Sequence, residues 1–366
     1  MCAAAAPGRR RCACAICCRE GEIIGEAVDY WKFFAEDAKR TGSALYARLA
    51  AGIGADDALK ALAARARPGQ PHANLILGAV HFLILRGATH PLTRFYPTAG
   101  GAVSAEAEDP MPDFRDFVRT HLGEIETLIA TRVTNTNEVG RSALLHPGFR
   151  AIAARTDAPL SPIEIGPSAG LNLIWDRYGV RYTRDGQVVA AVNADAPLVI
   201  DCALRGERVP PAGPAPRVAG RVGLELHPVD LAKPEDRDWL RALIWPDQVS
   251  RLARLDRAID LFRAETPPIL AGDALALLPD ALARVPREAT PVVYHTIAVY
   301  QFSREMREVL ESMLVIAGLR RPVWRLSFEF DGMLYLLSAI RYADGVREET
   351  RLASCHPHGT WIEWLG

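Results

Sequence analysis

The stretch Ile163-Glu164-Ile165-Gly166-Pro167-Ser168-Ala169-Gly170-Leu171-Asn172 gathers the residue types best suited to chemistry in this chain. A short β-branched run enters a glycine-bounded turn, and an apolar helical pattern of Leu171, Ile174, Trp175 and Tyr178 follows. Such a strand–loop–helix unit belongs where an α/β sheet binds ligands, at the carboxyl ends of its strands. Two chemistries suit the turn. Gly166, Ser168, Ala169 and Gly170 are small enough to let backbone approach a ligand, with Glu164 orienting the loop and the helix N-terminus presenting N–H groups. Alternatively, Ser168 is a nucleophile in Gly-x-Ser-x-Gly, raised on a strained strand-to-helix turn.

Other candidates stand further along. His295, in Val-Val-Tyr-His-Thr, ends a predicted strand, and an imidazole with an ordinary pKa near 6.5 suits a base at neutral pH. Tyr294 and Tyr300 flank it as weaker candidates, and a histidine bonded to backbone at a strand end is the plain alternative. Thr136-Asn137-Glu138-Val139-Gly140-Arg141 places polar and charged groups between apolar helices. Its plain reading is a capped helix start with Thr136 or Asn137 as N-cap. Its functional reading turns Asn137, Glu138 and Arg141 toward a substrate. Trp245, Asp247 and Arg251 suit a lid segment. His356-Pro357-His358 offers two metal ligands, but a third is missing nearby, so no metal site is expected. For serine chemistry, Asp273 followed by His295 or His356 would complete the order of a triad. The upstream half, however, lacks a His-Gly-Gly type oxyanion loop.

These residues need elements to position them. From Glu22 to about Asp157 the pattern is helical, with Ile23, Ala27, Tyr30, Phe34 and Ala38 forming one apolar face. Asp56 and Asp57 open an alanine-rich helix, Asn74 to Arg86 reads as a buried helix closed by Gly87, and Phe114 to Ile129 reads as one long amphipathic helix. After Ala158, short apolar runs alternate with helical stretches, the signature of a parallel α/β sheet. Strands are predicted over 163–165, 218–226, 269–271, 292–296, 323–330 and 333–342. Helices are predicted over 171–178, 235–263 and 303–318. Asp331-Gly332 joins the last two strands as a hairpin. Residues 180–216 read as an insertion: a hairpin around Asp185-Gly186, then a proline-rich connector.

Composition narrows the class. A chain of 366 residues with 49% hydrophobic content suggests about two domains. A formal charge of −1 exerts no global pull on nucleic acid or anionic lipid. The apolar run from Ala73 to Leu85 is broken by His81 and falls short of the roughly 20 residues of a membrane span. Cys12, Cys14, Cys17 and Cys18 crowd a predicted disordered tail, residues 1–21, without the second cluster that a zinc site wants. A soluble protein of the reducing cytoplasm is expected.

Read as Glu-x-Gly-x-x-x-Gly, the turn at Gly166 resembles the first motif of class I S-adenosylmethionine-dependent methyltransferases. That resemblance implies a Rossmann-like α/β sheet ending in an antiparallel hairpin, S-adenosylmethionine as cofactor and a small-molecule acceptor. It places Glu225 on the ribose, with Asp230 as alternative, and Asp273 in its Gly-Asp-Ala setting beside adenine. Ser168 departs from that pattern by replacing the middle glycine. Read as Gly-x-Ser-x-Gly, the same turn resembles the elbow of the α/β-hydrolases. A narrower resemblance covers the chain from about Tyr30. Glu-Ile-Gly-Pro-Ser-Ala-Gly-Leu-Asn-Leu, Thr136–Arg141, His227-Pro228-Val229-Asp230 and Trp245-Pro246-Asp247-Gln248 look like the signature of bacterial domain-of-unknown-function family 2332, whose core is methyltransferase-like. The expected architecture is an all-helical N-terminal cap domain (22–157) on a methyltransferase-like α/β domain (158–366). A catalytically inactive cofactor- or nucleotide-binding protein of the same fold, and a serine hydrolase, are the alternatives.

Overall fold

The computed structural model describes residues 29–366. The cysteine-rich tail, with the expected contributions of Ile23 and Ala27, lies outside them. The chain forms two compact units, one running up to Thr134 and including Asp238–Leu252, the other comprising Asn135–Arg237 and Ala253–Gly366.

The first unit is helical. It holds α1 (Tyr30–Arg40), α2 (Ala44–Gly54), α3 (Asp57–Ala63), α4 (His72–Leu85), α5 (Met111–Thr120) and α6 (Leu122–Thr131). Short polar side chains start the first three: Asp29, Ser43 and Asp56 each accept first-turn amides. α4 is apolar all round, and eleven of its residues, Ala73 and Leu75–Ile84, are buried at the centre of this unit. The expected single helix from Phe114 to Ile129 is two, because the chain breaks at His121. Gly123 and the Thr120-His121 step supply weak helix formers at that point.

The second unit is mixed α/β. It opens with α7 (Ser142–Ala153), then β1 (Leu160–Ile165), β2 (Gly179–Arg184), β3 (Gln187–Val192), β4 (Val199–Arg205) and β5 (Val222–Glu225). Two helices, α8 (Pro234–Ala242) and α9 (Val249–Ala264), replace the one expected over 235–263; Pro234–Arg237 and Ala253–Ala264 belong to this unit and the rest to the first. Next come β6 (Ile269–Ala271), α10 (Ala274–Ala283), β7 (Thr290–Thr296) and α11 (Arg304–Gly318). The last strands are β8 (Val323–Phe330), β9 (Tyr335–Ala343), β10 (Val346–Cys355) and β11 (Trp361–Trp364).

The eleven strands of the described residues join one sheet in the order β3-β2-β4-β11-β10-β9-β8-β7-β1-β5-β6. From β8 to β6 the strands are parallel, and β9, β10 and β11 continue antiparallel. Along the chain, β5 and β6 are laid on one side of β1, and β7 and β8 on the other. The order therefore reverses between β1 and β7, the switch point at which open parallel sheets leave a crevice beyond the strands' carboxyl ends. The residues expected as a loose connector form β4, which pairs in parallel with both β2 and β11 and so ties the inserted hairpin into the main sheet.

Both faces of the parallel region are covered. α10 and α11 pack Leu278, Ala281, Leu310 and Leu314 against Ile163, Ile165, Leu224 and Val293. On the other face, Phe149 of α7 stacks on Trp175 at 4.5 Å and meets Tyr294 edge-on. Every residue of β1 and β7 is buried, as central parallel strands require.

Candidate functional site

The turn after β1 is built from left-handed backbone. Gly166, Ser168 and Gly170 have φ values of 71°, 56° and 85°; the first and last are glycine because other side chains rarely adopt that region. Two further constraints act on these glycines. A Cβ on Gly166 would lie 2.8 Å from the Cβ of Ala298, and one on Gly170 would strike Ile269 and Phe262. Gly166 is exposed, while Pro167 to Gly170 are buried. Leu171–Arg177 then form a 3₁₀ helix.

Neighbouring carboxylates hold the turn. Glu225, at the end of β5, accepts the Ser168 amide through Oε2 (2.8 Å) and the His227 amide through Oε1 (3.0 Å). Its carboxylate thus crosslinks two strand ends, and only its remaining lone pairs face a ligand. Glu164 is fully buried inside β1. Its Oε2 lies 2.8 Å from the hydroxyl of Tyr294, which is also 3.1 Å from the carbonyl of Asn172. Burial pushes the Glu164 pKa up to about 8, against the lowering effect of the tyrosine bond. At neutral pH the acid is therefore largely protonated. The Tyr294 hydroxyl is the donor, its one proton shared between the Glu164 carboxyl and the Asn172 carbonyl. Glu164 shapes the strand end from inside and offers no oxygen to the surface.

The Thr136–Arg141 segment packs directly on this turn. Asn137 Oδ1 accepts the Leu171 amide at 2.9 Å, capping the 3₁₀ helix from outside. Asn172 reciprocates, its amide donating to the Glu138 carbonyl (3.4 Å) while its Oδ1 accepts the Ser142 hydroxyl (3.0 Å). Glu138 proves to be the capping residue, accepting the Gly140 amide at 2.9 Å. The same carboxylate meets Arg254 at 3.2 Å and His358 at 3.2 Å. Arg141 donates to the carbonyls of Thr296 (2.8 Å) and Pro357 (2.9 Å). Gly140 and Gly359 permit backbone-to-backbone packing here, since a Cβ on Gly359 would fall 2.1 Å from the Gly140 carbonyl oxygen. Asn137, Glu138 and Arg141 are all buried, so the structure uses them to join the β1 turn, the end of β7 and the turn before β11.

His295 is fully buried in β7. Its Nδ1 lies 2.6 Å from Glu329 Oε1, and its Nε2 accepts from Arg325 Nε at 2.9 Å. Since arginine only donates, the ring is the Nδ1–H tautomer with both nitrogens engaged. Burial, then the Arg325 charge, lower its pKa. The lone pair expected to act as a base is already committed. Glu329 also accepts the amides of Ala298 and Val299 (3.0 Å each) and Tyr300 (3.2 Å). Burial raises Glu329, but the His295 bond and charge and these amides outweigh it and hold the carboxyl below its ordinary value. Within this clasp Ile297 sits at φ 52°, a conformation that β-branched residues rarely adopt. Tyr300 is half-buried beside it.

Asp273 is exposed and caps α10, its Oδ1 accepting the amides of Leu275 (2.7 Å) and Ala276 (3.4 Å). The Ser168 hydroxyl donates to the Asn135 carbonyl at 3.1 Å, and among the described residues no imidazole bonds to it. A triad of Ser168, Asp273 and His295 is not assembled. His356 and His358 face one another at 5.6 Å, and no group of three or more potential metal ligands gathers among the described residues.

Sequence reasoning passed over Leu226, Arg325 and Glu329. Leu226 follows Glu225 and is 62% exposed, an apolar surface at a strand end. Arg325 and Glu329 alternate along β8 on the same face, which was the available signal that both reach one neighbour on β7.

Residues 29–364 match the family of uncharacterized proteins conserved in bacteria designated DUF2332, and the chain belongs to that family. No curated protein and no solved structure matches the chain. Among the described residues, no helix is long and apolar enough to cross a membrane.

Proposed function

We propose that the carboxyl edge of the sheet beside Gly166 binds a nucleoside-bearing small molecule. S-adenosylmethionine is the leading candidate, and methyl transfer to a small-molecule acceptor is the reaction. The observation that carries this reading is the reversal of strand order at β1, with exposed Gly166 standing at the switch point. Two further exposed positions follow at successive strand ends, Leu226 after β5 and Asp273 after β6. Leu226 suits the face of a purine, and Asp273 keeps Oδ2 outside its capping bonds. Glu225 fits the ribose less well, because two amides already occupy its carboxylate.

The bound cofactor would supply an electrophilic methyl group on a sulfonium. The chain would supply position, which accounts for much of the acceleration in such a displacement. With His295 committed to Arg325 and Glu329, acceptors that need no early proton loss suit the site best. That same commitment favours a second reading, a cofactor- or nucleotide-binding protein of this fold without catalysis. Serine hydrolysis through Ser168 is the weakest, since the hydroxyl is turned to a backbone carbonyl. A soluble protein of the reducing cytoplasm, acting on neither nucleic acid nor membrane, remains part of the proposal.

Calorimetry with S-adenosylmethionine and S-adenosylhomocysteine tests the binding step. Affinity lost in Leu226→Asp and Asp273→Asn supports it, and no heat at millimolar ligand counts against both leading readings. Transfer of labelled methyl groups into a metabolite extract then separates an enzyme from a binder.

A further inference from the structure

A cleft of about 230 Å³ opens at the other end of the parallel strands. Its lining includes Ala158, just before β1, Thr290, which begins β7, and Pro322, just before β8. The cleft therefore lies on the amino edge, a strand length of about 20 Å from Gly166. Four arginines line it, Arg155, Arg287, Arg321 and Arg341, and among the described residues no carboxylate does.

The bonding of three of these side chains leaves their charge without a carboxylate partner. Arg341 meets Glu348 at 3.4 Å, but among the described residues Arg155, Arg287 and Arg321 form no salt bridge. Arg321 is fixed by carbonyls, donating to Pro286 (2.8 Å), Val285 (3.1 Å), Leu282 (3.2 Å) and Ala289 (3.4 Å). These contacts orient the guanidinium without neutralising it. Arg155 donates to the Thr350 hydroxyl at 3.2 Å and lies 5.8 Å from the ring centre of Trp324. Arg287 is exposed and makes no such bond. Thr156 and Thr290 add a hydroxyl pair, 2.9 Å apart. Two hydroxyls carry two protons and their mutual bond consumes one, so the other is free to donate to an incoming oxygen.

We propose that this cleft binds a small phosphate-bearing anion, as a site separate from the switch point. Several guanidinium groups around one concavity match the many acceptor oxygens of such a ligand. The apolar part of the lining comes from Ala158, Ala289, Pro322 and Trp324, and the volume of about 230 Å³ limits the size of any organic part.

The test is calorimetry of the full chain with inorganic pyrophosphate, with citrate as a parallel arm. Expected is pyrophosphate binding that weakens at least about tenfold in Arg155→Ser and in Arg287→Ser. The distant exposed control Arg304→Ser should bind as the wild type does. A second measurement needs no variant: pyrophosphate should protect Arg155 and Arg287, but not Arg304, from phenylglyoxal in the wild-type chain. Absence of binding at millimolar pyrophosphate overturns the site, as does binding that neither substitution nor protection traces to these arginines. Citrate binding as tightly as pyrophosphate overturns its phosphate character.

Discussion

His295 and Glu329 meet at 2.6 Å across the β7–β8 pair, and the same carboxylate takes the amides of Ala298, Val299 and Tyr300. One acid thus fixes both the tautomer of a buried imidazole and the path of the backbone leaving β7. Replacing Glu329 with alanine strands those donors, and breaking a buried hydrogen-bonded pair costs about 3 kcal/mol or more. Urea unfolding should show that loss for Glu329→Ala and a smaller one for Glu329→Gln, which keeps one acceptor oxygen. Equal midpoints for wild type and Glu329→Ala would remove the clasp from the account.

Glu164 predicts a pH dependence. Its pKa is raised from an unfolded value of 4.5 to about 8, so the native chain binds the extra proton between those values. The contribution is complete below the unfolded pKa and is lost as pH rises through about 8. Each unit of such a shift is worth about 1.4 kcal/mol, so the effect is measurable. Glu164→Gln imitates the neutral acid and should flatten this component of the stability profile between about pH 5 and about pH 9. Parallel profiles for the two proteins would show that Glu164 is ionised throughout.

At Gly166 two penalties are separable. An alanine there meets the left-handed backbone cost of about 1–2 kcal/mol, and its Cβ also crowds Ala298. Gly166→Ala should therefore destabilise the chain, and adding Ala298→Gly should restore the steric part only. A double-mutant cycle by thermal unfolding measures that coupling. Strict additivity would mean that the two residues do not touch.

Ser168→Ala removes one hydroxyl bond to the Asn135 carbonyl and should cost about 1 kcal/mol. A fluorophosphonate probe should label neither protein. Labelling of the wild type that disappears in the variant would restore serine chemistry to this turn.

The sequence made the parallel strands legible because each is a short apolar run closed by glycine or a polar residue, as at Ile269–Ala271 and Val292–Thr296. β4, β10 and β11 were not: the exposed positions of β4 and of the first half of β10 carry Asp201, Arg205, Arg347 and Glu348, which breaks the apolar run. The Gly166 turn was recognised as a small-residue loop, and its left-handed geometry agrees. The burial of its surroundings was not visible. Asn137, Glu138 and Arg141 are polar side chains that look available until their partners, more than thirty residues away or further, are known. His295 is the sharpest instance: its neighbours Arg325 and Glu329 come from the next parallel strand, a pairing that local pattern does not specify.

β11 has a temporal consequence. β4 reaches the rest of the sheet only through register with Trp361 to Glu363, a contact reinforced by Arg205 lying 3.8 Å over the Trp361 ring. During synthesis the β2–β3–β4 ribbon emerges early, yet its inner border stays open until that far later segment leaves the ribosome. Among the described residues, the β4–β11 seam therefore cannot close before Trp361 to Glu363 have been made, so a chain truncated ahead of Trp361 would leave the inner edge of β4 without its partner strand.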